Sequence, residues 1–377
     1  MGELAGRGFP TTIVCAVRIL LATRAFHPDT VTGVATVMHE LWERLREQHE
    51  VALVSGWRRD SSLLPRGART VRVDPESPLK SSVALDLALR RKVMGFRPHV
   101  ILSQGLEFPV QLAPTLGLLA APLAGEERWG KVHAARNRVI RNRIAAMAMP
   151  VAPSEAAREA LIRNGIPGDR IRVAYPGVDT GRFRPDLNSE SPLPSGQEPV
   201  RLLYAARIVP GKGQHVAVEA VNGLPARLRR RVVLDLVGPV EDPDYFAALK
   251  RRAADAPVHF HDQVADLVPW YRQAHIVLFP SVSDEVFGYS AVDGMACGKP
   301  VIYSRCGSLP EVTQGIGLDV APGDVKDLSL GIRRLIQEPE LCAELGRQGR
   351  DLCLQRYSWD VAMGRYLTLL EEIAAGG

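Results

Sequence analysis

The 377-residue chain is 46% hydrophobic and 24% charged, the balance of an ordinary folded protein, which excludes disordered and collagen-like classes. Its length exceeds what a single hydrophobic core supports, so two domains are expected. A formal net charge of +5 suits an anionic partner, a nucleotide or a membrane surface, but basic clusters such as Arg227 with Arg229 to Arg231 lack interleaved aromatics, so no nucleic-acid partner is expected.

Residues 1 to 16 read as an extension ahead of the fold. The apolar run from Ile13 to Ala25 is broken by Arg18 and lacks a small-residue cleavage site, so it reads poorly as a signal peptide. No stretch reaches the roughly 18 uncharged apolar residues of a membrane-spanning helix. Five cysteines, an odd number without a Cys-x-x-Cys pair, indicate neither a disulfide framework nor a zinc site, and point to a reducing, cytoplasmic setting.

"RILLATRAF" (Arg18 to Phe26) is a buried strand leading into the loop "HPDTVTG". Val34, Val37, Met38, Leu41 and Leu45 then fall at helical spacing. "VALVS" (Val51 to Ser55), "HVILS" (His99 to Ser103) and "PVAPS" (Pro150 to Ser154) are further apolar strands. Lys131 to Met147 reads as an amphipathic helix with its cations largely off the apolar side; its alternative role is docking on anionic lipid. "PDLNSESPLPSGQE" is rich in Pro, Ser and acid and reads as an interdomain linker. The pattern restarts with "RLLYAARIV", "VVLDLVG", "VHFH", "IVLFPS" and "PVIYS". Apolar strands alternating with helices imply a parallel sheet covered on both faces, here twice, so the fold class is α/β with two doubly wound, Rossmann-like domains facing across a cleft. The expected boundaries are 1–185 for the first domain, 186–199 for the linker, 200–355 for the second domain, and 356–377 for a C-terminal helix returning to the first domain.

In such sheets ligands bind outside the carboxyl ends of the strands. The loop "RIVPGKGQHV" there carries Arg207 and Lys212 in a Gly-rich turn before a helix, a combination that suits a diphosphate. It is neither a P-loop nor a dinucleotide fingerprint, because no Ser or Thr follows Lys212 and Val216 stands where the last Gly would be. Further on, Glu285 precedes a Phe287-Gly288 turn and a helix in which Asp293 lies about one and a half turns in. A carboxylate there accepts two hydroxyl protons of a ribose well.

"EVFGYSAVDGMACGKPVI" resembles the E-x7-E signature of the retaining glycosyltransferases of family 4, the glycosyl transferases group 1. "RIVPGKG" is similar to that family's Arg…Lys phosphate loop, and "GSLPEV", "GIGLDVAPGDVKDL" and "VAPSEAAREALIRNGIPGDRIRVAYPGVDTGRFRP" are similar to its flanking blocks, in order, from about Arg18 to Tyr366. The resemblance implies the GT-B fold. It implies that Arg207 and Lys212 hold the donor diphosphate, that Glu285 contacts the donor sugar, that Asp293 contacts the ribose, and that the backbone of Val286, Phe287, Gly288, Tyr289 and Ser290 meets the phosphates and sugar. The second acid is Asp where the family usually has Glu, and Thr32-Gly33 stands for its common Gly-Gly, with Gly33 still allowing close phosphate approach. His261 is placed near the base, and His27 and Glu126 are the acceptor-side candidates, since the family's catalytic-region His has no counterpart.

The expected reaction is transfer of a hexosyl or N-acetylhexosaminyl group from a UDP- or GDP-linked donor to a hydroxyl acceptor, small and hydrophilic or a glycan. A lipid acceptor at the membrane surface and a non-catalytic sugar-nucleotide binder are the alternatives; an epimerase and an inverting transferase are weaker rivals. No Asp-x-Asp triad of the metal-dependent transferases is seen, so no metal and no cofactor beyond the donor substrate are expected.

Overall fold

The structure, a computed structural model, describes residues 17–23, 33–57, 62, 64–72, 78–104, 115–118, 142, 144, 146–186, 193–194, 198–254 and 256–375. His27, Thr32, Glu126, Cys15, the extension 1–16 and most of Lys131 to Met147 lie outside the described residues.

Seven parallel strands form the first sheet: β1 (Arg18–Thr23), β2 (Glu50–Trp57), β3 (Arg69–Arg72), β4 (Val100–Gln104), β5 (Thr115–Leu118), β6 (Met149–Ala152) and β7 (Arg172–Val173), in the spatial order β3-β2-β1-β4-β5-β6-β7. Successive side chains of a strand point to opposite faces, and β1 shows the result. Ile19 and Leu21 pack with Val37, Leu41 and Leu45 of the Gly33–Leu45 helix, while Leu20 and Ala22 pack with Leu85, Leu89 and Val93 of the Pro78–Phe96 helix. All four strand residues are fully buried, so the continuous apolar run is what a strand covered on both faces requires.

The second sheet has six parallel strands, β8 (Val200–Ala205), β9 (Val232–Val237), β10 (Val258–His261), β11 (Ile276–Phe279), β12 (Val301–Ser304) and β13 (Leu318–Val320), in the order β10-β9-β8-β11-β12-β13. Both sheets therefore reverse direction at one place, between β1 and β4 and between β8 and β11, and these are the switch points where an open sheet leaves a crevice. The two-sheet α/β architecture is that of the GT-B fold. The strands β3, β5, β7 and β13 were not expected from the sequence; β7 and β13 have two and three residues, too few to display a periodicity, and the partly exposed edge strand β3 lacks the apolar run of a strand covered on both faces.

The domains touch through particular residues. The Trp359–Ala375 helix crosses to the first sheet, where Trp359, Tyr366, Leu370 and Ile373 join the cluster containing Ile19, Leu21 and Leu53. In the other direction Val178 belongs to the second domain's core, Phe183 packs edge-on against Tyr271, and Arg350 donates to the carbonyls of Thr180 and Phe183. Leu193, inside the expected linker, is buried in that same core.

Candidate functional site

At the second domain's switch point the loop after β8 faces the loop after β11. Gly211 of the first accepts hydrogen bonds from the backbone N–H groups of Val282 and Ser283 of the second, each at 3.0 Å. Gly213 adopts φ +72°, and a Cβ there would stand 2.0 Å from the Pro280 carbonyl oxygen, so only glycine lets the loops meet this closely. The hydroxyl of Tyr204, at the buried end of β8, donates to the carbonyl of Lys212 and fixes the turn from below.

That apposition brings together residues 73 positions apart. Lys212 Nζ lies 2.6 Å from Glu285 Oε1, and the Ser281 hydroxyl lies 2.7 Å from the same oxygen. Both charged side chains are largely shielded, at 19% and 10% exposure, so the pair feels little screening. The loop after β12 clamps Glu285 from the other side, with the Ser308 N–H on its carbonyl at 2.8 Å. Arg207 stands apart from Lys212 in its pairing: it donates to Glu241 at 2.5 Å and is about half exposed. Each of the two cations expected to meet one diphosphate is held by its own carboxylate.

Gly288 caps the signature helix Tyr289–Ala296 in the left-handed conformation, φ +83°. Among the described residues the backbone N–H groups of Val286 through Ser290 find no hydrogen-bond partner. Five consecutive free donors at a helix start form a cradle for an anion. The Val286 carbonyl is held from the first domain by the Ser154 hydroxyl at 2.7 Å, and Ser154 also caps the Glu155–Arg163 helix by accepting from Ala157 N–H at 3.0 Å. Glu311 completes the interdomain contact, accepting from the N–H groups of Glu155 and Ala156 at 2.7 and 3.0 Å and from the Tyr175 hydroxyl.

Asp293, half-buried on the Tyr289–Ala296 helix, interacts electrostatically with Tyr271, Cys297 and Cys353. Its carboxyl has no hydrogen-bond partner in the described protein. Burial pushes its pKa up to about 8, opposed by the positive charge of Arg182. Gly33 is filled on its Cβ side by the Tyr289 ring, 2.4 Å from where a Cβ would be. A phosphate therefore has only the backbone side of Gly33 to approach, which narrows the role expected for it. The Tyr289 hydroxyl is buried without a partner. His261, expected near the base, has its Nε2 2.9 Å from Asp235 Oδ1 and its ring 4.3 Å from that of Trp270.

Sequence reasoning passed over Ser281, Ser154, Tyr204 and Glu311. All four lay in quoted segments, Ser154 in "PVAPS", Tyr204 in "RLLYAARIV", Ser281 in "IVLFPS" and Glu311 in "GSLPEV", but no spacing marked them as site residues. The reading of Asp-x-Asp motifs also needs correction, because Asp242-Pro243-Asp244 is one. Asp242 is spent on the helix Pro243–Arg252, accepting from Tyr245 N–H at 2.9 Å as its N-cap.

Comparison with known proteins follows the same division of the chain. Residues 31–182 match the family described as Glycosyltransferase Family 4, and residues 188–352 match Glycosyl transferases group 1. A D-inositol 3-phosphate glycosyltransferase of Streptomyces bingchenggensis is 31% identical over 246 residues, covering 60% of this chain and 53% of its own. The chain thus spans about half the length of the curated relatives it matches. Among solved structures, Anabaena HepE in complex with UDP-glucose superposes with TM-score 0.78 at 19% identity, covering 94% of this chain and all of that one. Sucrose-phosphate synthase from Thermosynechococcus elongatus superposes with TM-score 0.78 at 20% identity, covering 96% and 100%.

Proposed function

The chain belongs to the family 4, group 1 glycosyltransferases, and on that premise we propose that it moves a sugar from a nucleoside-diphosphate donor to an acceptor hydroxyl with retention at the anomeric carbon. The observation that carries the reading is the Lys212–Glu285 pair beside the Val286 to Ser290 N–H groups, which have no partner among the described residues. An anion entering that cradle takes the ammonium of Lys212 as its counter-ion and frees the Glu285 carboxylate for the hydroxyls of the donor sugar. Arg207, leaving Glu241, adds a second cation.

Bond breaking at the anomeric carbon sends an electron pair to the departing phosphate oxygen. Lys212, Arg207 and the Val286 to Ser290 amides stabilise that charge, a preorganised effect typically worth several kcal/mol, and no metal is needed for it. The acceptor oxygen bonds to the anomeric carbon on the face the phosphate leaves, and the acceptor proton passes to the phosphate. Asp293 takes the ribose hydroxyls, and the base meets the loop that follows His261, since the His261 ring is occupied by Asp235. HepE was solved with UDP-glucose, which favours a UDP-linked donor here. The family relatives named for an inositol phosphate favour a small hydrophilic acceptor. We place the protein in the cytoplasm; among the described residues no helix is long and apolar enough to cross a membrane.

A lipid-borne acceptor is the second reading, favoured by Val83, Leu87 and Met94, which are 62%, 46% and 70% exposed at one-face spacing on the Pro78–Phe96 helix beside Arg90 and Arg91. A panel of UDP- and GDP-sugars, scored by thermal shift and by release of nucleoside diphosphate with inositol phosphates, oligosaccharides or polyprenyl phosphates as acceptors, tests both. The reading fails if no nucleoside diphosphate stabilises the protein.

A further inference from the structure

On β9 and β10 three side chains converge in a way that the transfer steps above do not use. Asp235, on β9, and His259, on the edge strand β10, are direct register partners, and His261 follows two residues later on the same face of β10. His261 Nε2 lies 2.9 Å and His259 Nδ1 3.4 Å from the same atom, Asp235 Oδ1, and the three donor atoms lie within 4.8 Å of one another. We propose that Asp235, His259 and His261 form a binding site for one divalent transition-metal ion of the zinc class.

Such an ion sits about 2.0–2.1 Å from imidazole nitrogens and carboxylate oxygens. Ligand atoms at that radius are separated by about 3.0 Å at octahedral and about 3.4 Å at tetrahedral angles. The two separations observed match those edges, so an ion replaces the hydrogen-bonding proton between His261 and Asp235 with little rearrangement. The donor set selects the class of ion: two imidazoles and one carboxylate suit zinc, nickel or copper, whereas magnesium and calcium ask for oxygen ligands. Arg201 strengthens that selection. Its Nη1 donates to Asp235 Oδ2 at 3.2 Å, which orients the carboxylate, leaves Oδ1 for the ion, and offsets the charge on which a hard cation depends. The carboxylate is 5% exposed and His259 is 60% exposed, so the ion reaches the site from solvent and keeps water in its open positions. Once bound, it ties edge strand β10 to β9 and braces the loop after His261.

The test uses the full chain, freed of any polyhistidine tag and stripped with a chelator, titrated with zinc against a chromophoric competitor. Binding of one equivalent is expected, with His259→Ala and His261→Ala each weakening it at least about tenfold, and with affinity falling as pH drops because protons compete for the imidazoles. Wild-type protein should also gain melting temperature with zinc, and His259→Ala, whose exposed ring is safe to remove, should gain none. The proposal is overturned if the stripped wild type binds no zinc against the competitor, if His259→Ala binds it as the wild type does, or if magnesium is preferred. None of these readouts involves sugar transfer, so failure here leaves the enzymatic reading untouched.

Discussion

Asp293→Asn isolates the half-buried acid of the signature helix. The Asp293 carboxyl is raised from 3.8 to about 8 in the folded protein because burial disfavours its charge. Between those values the native chain holds a proton that the unfolded chain has released, so stability falls as pH rises through that window. Below about pH 4 both states are protonated and nothing is lost. At 1.36 kcal/mol per unit, the shift sets an upper bound of roughly 5 kcal/mol by pH 8, lowered by the solvent that reaches the half-buried side chain. Asparagine fills the same space and does not titrate. Urea unfolding of both proteins at pH 5, 6, 7 and 8 should show the wild type losing more than a kcal/mol per unit relative to the variant. A nucleoside diphosphate should reverse the trend: ribose hydroxyls donate to the ionised carboxylate, so affinity for the wild type climbs toward pH 8 while the variant's stays flat and weaker. Parallel unfolding curves would refute the raised-pKa account. Equal nucleotide affinity in both proteins at pH 8 would leave Asp293 as a helix residue with no ligand.

Lys212→Ala and Arg207→Ala are each expected to cut transfer by about two orders of magnitude or more, read as kcat/KM with the best donor; Lys212→Ala should also lower the melting temperature, because it leaves Glu285 shielded and unpaired. Glu285→Gln should reduce turnover and discrimination between donor sugars while nucleoside diphosphate affinity by calorimetry stays near that of the wild type, since the diphosphate alone carries no hexose. Ser154→Ala should cost about 1 kcal/mol in unfolding experiments through the lost helix cap and weaken donor binding by freeing the Val286 carbonyl; unchanged donor affinity would confine Ser154 to capping. Gly33→Ala drives a methyl into the Tyr289 ring, with an expected loss of about 1–3 kcal/mol that Tyr289→Leu should partly restore in a double-mutant cycle.

The sequence by itself determined the two-fold alternation of strands and helices, and with it the fold class. A strand covered on both faces must be apolar throughout, and a run such as "RLLYA" or "IVLF" states this within a few residues. It also displayed the chemistry of the cleft loops, because a Gly-rich turn with Arg207 and Lys212, and an acid ahead of Phe-Gly, are local patterns. Short strands at sheet positions such as β7 and β13 stayed hidden, since two or three residues carry no period. Only the tertiary structure decided which groups meet. Lys212 faces Glu285 because β8 and β11 are neighbours at the switch point, though 73 residues separate the pair. His259 and His261 gain a carboxylate because β10 pairs with β9 in one register, and a shift by one residue would send both rings to the opposite face. Asp293 becomes an acid with a raised pKa because neighbours distant in sequence, Tyr271 and Cys353 among them, help to bury it. Burial of that kind depends on how sheets, helices and loops pack in space, and no local spacing records it.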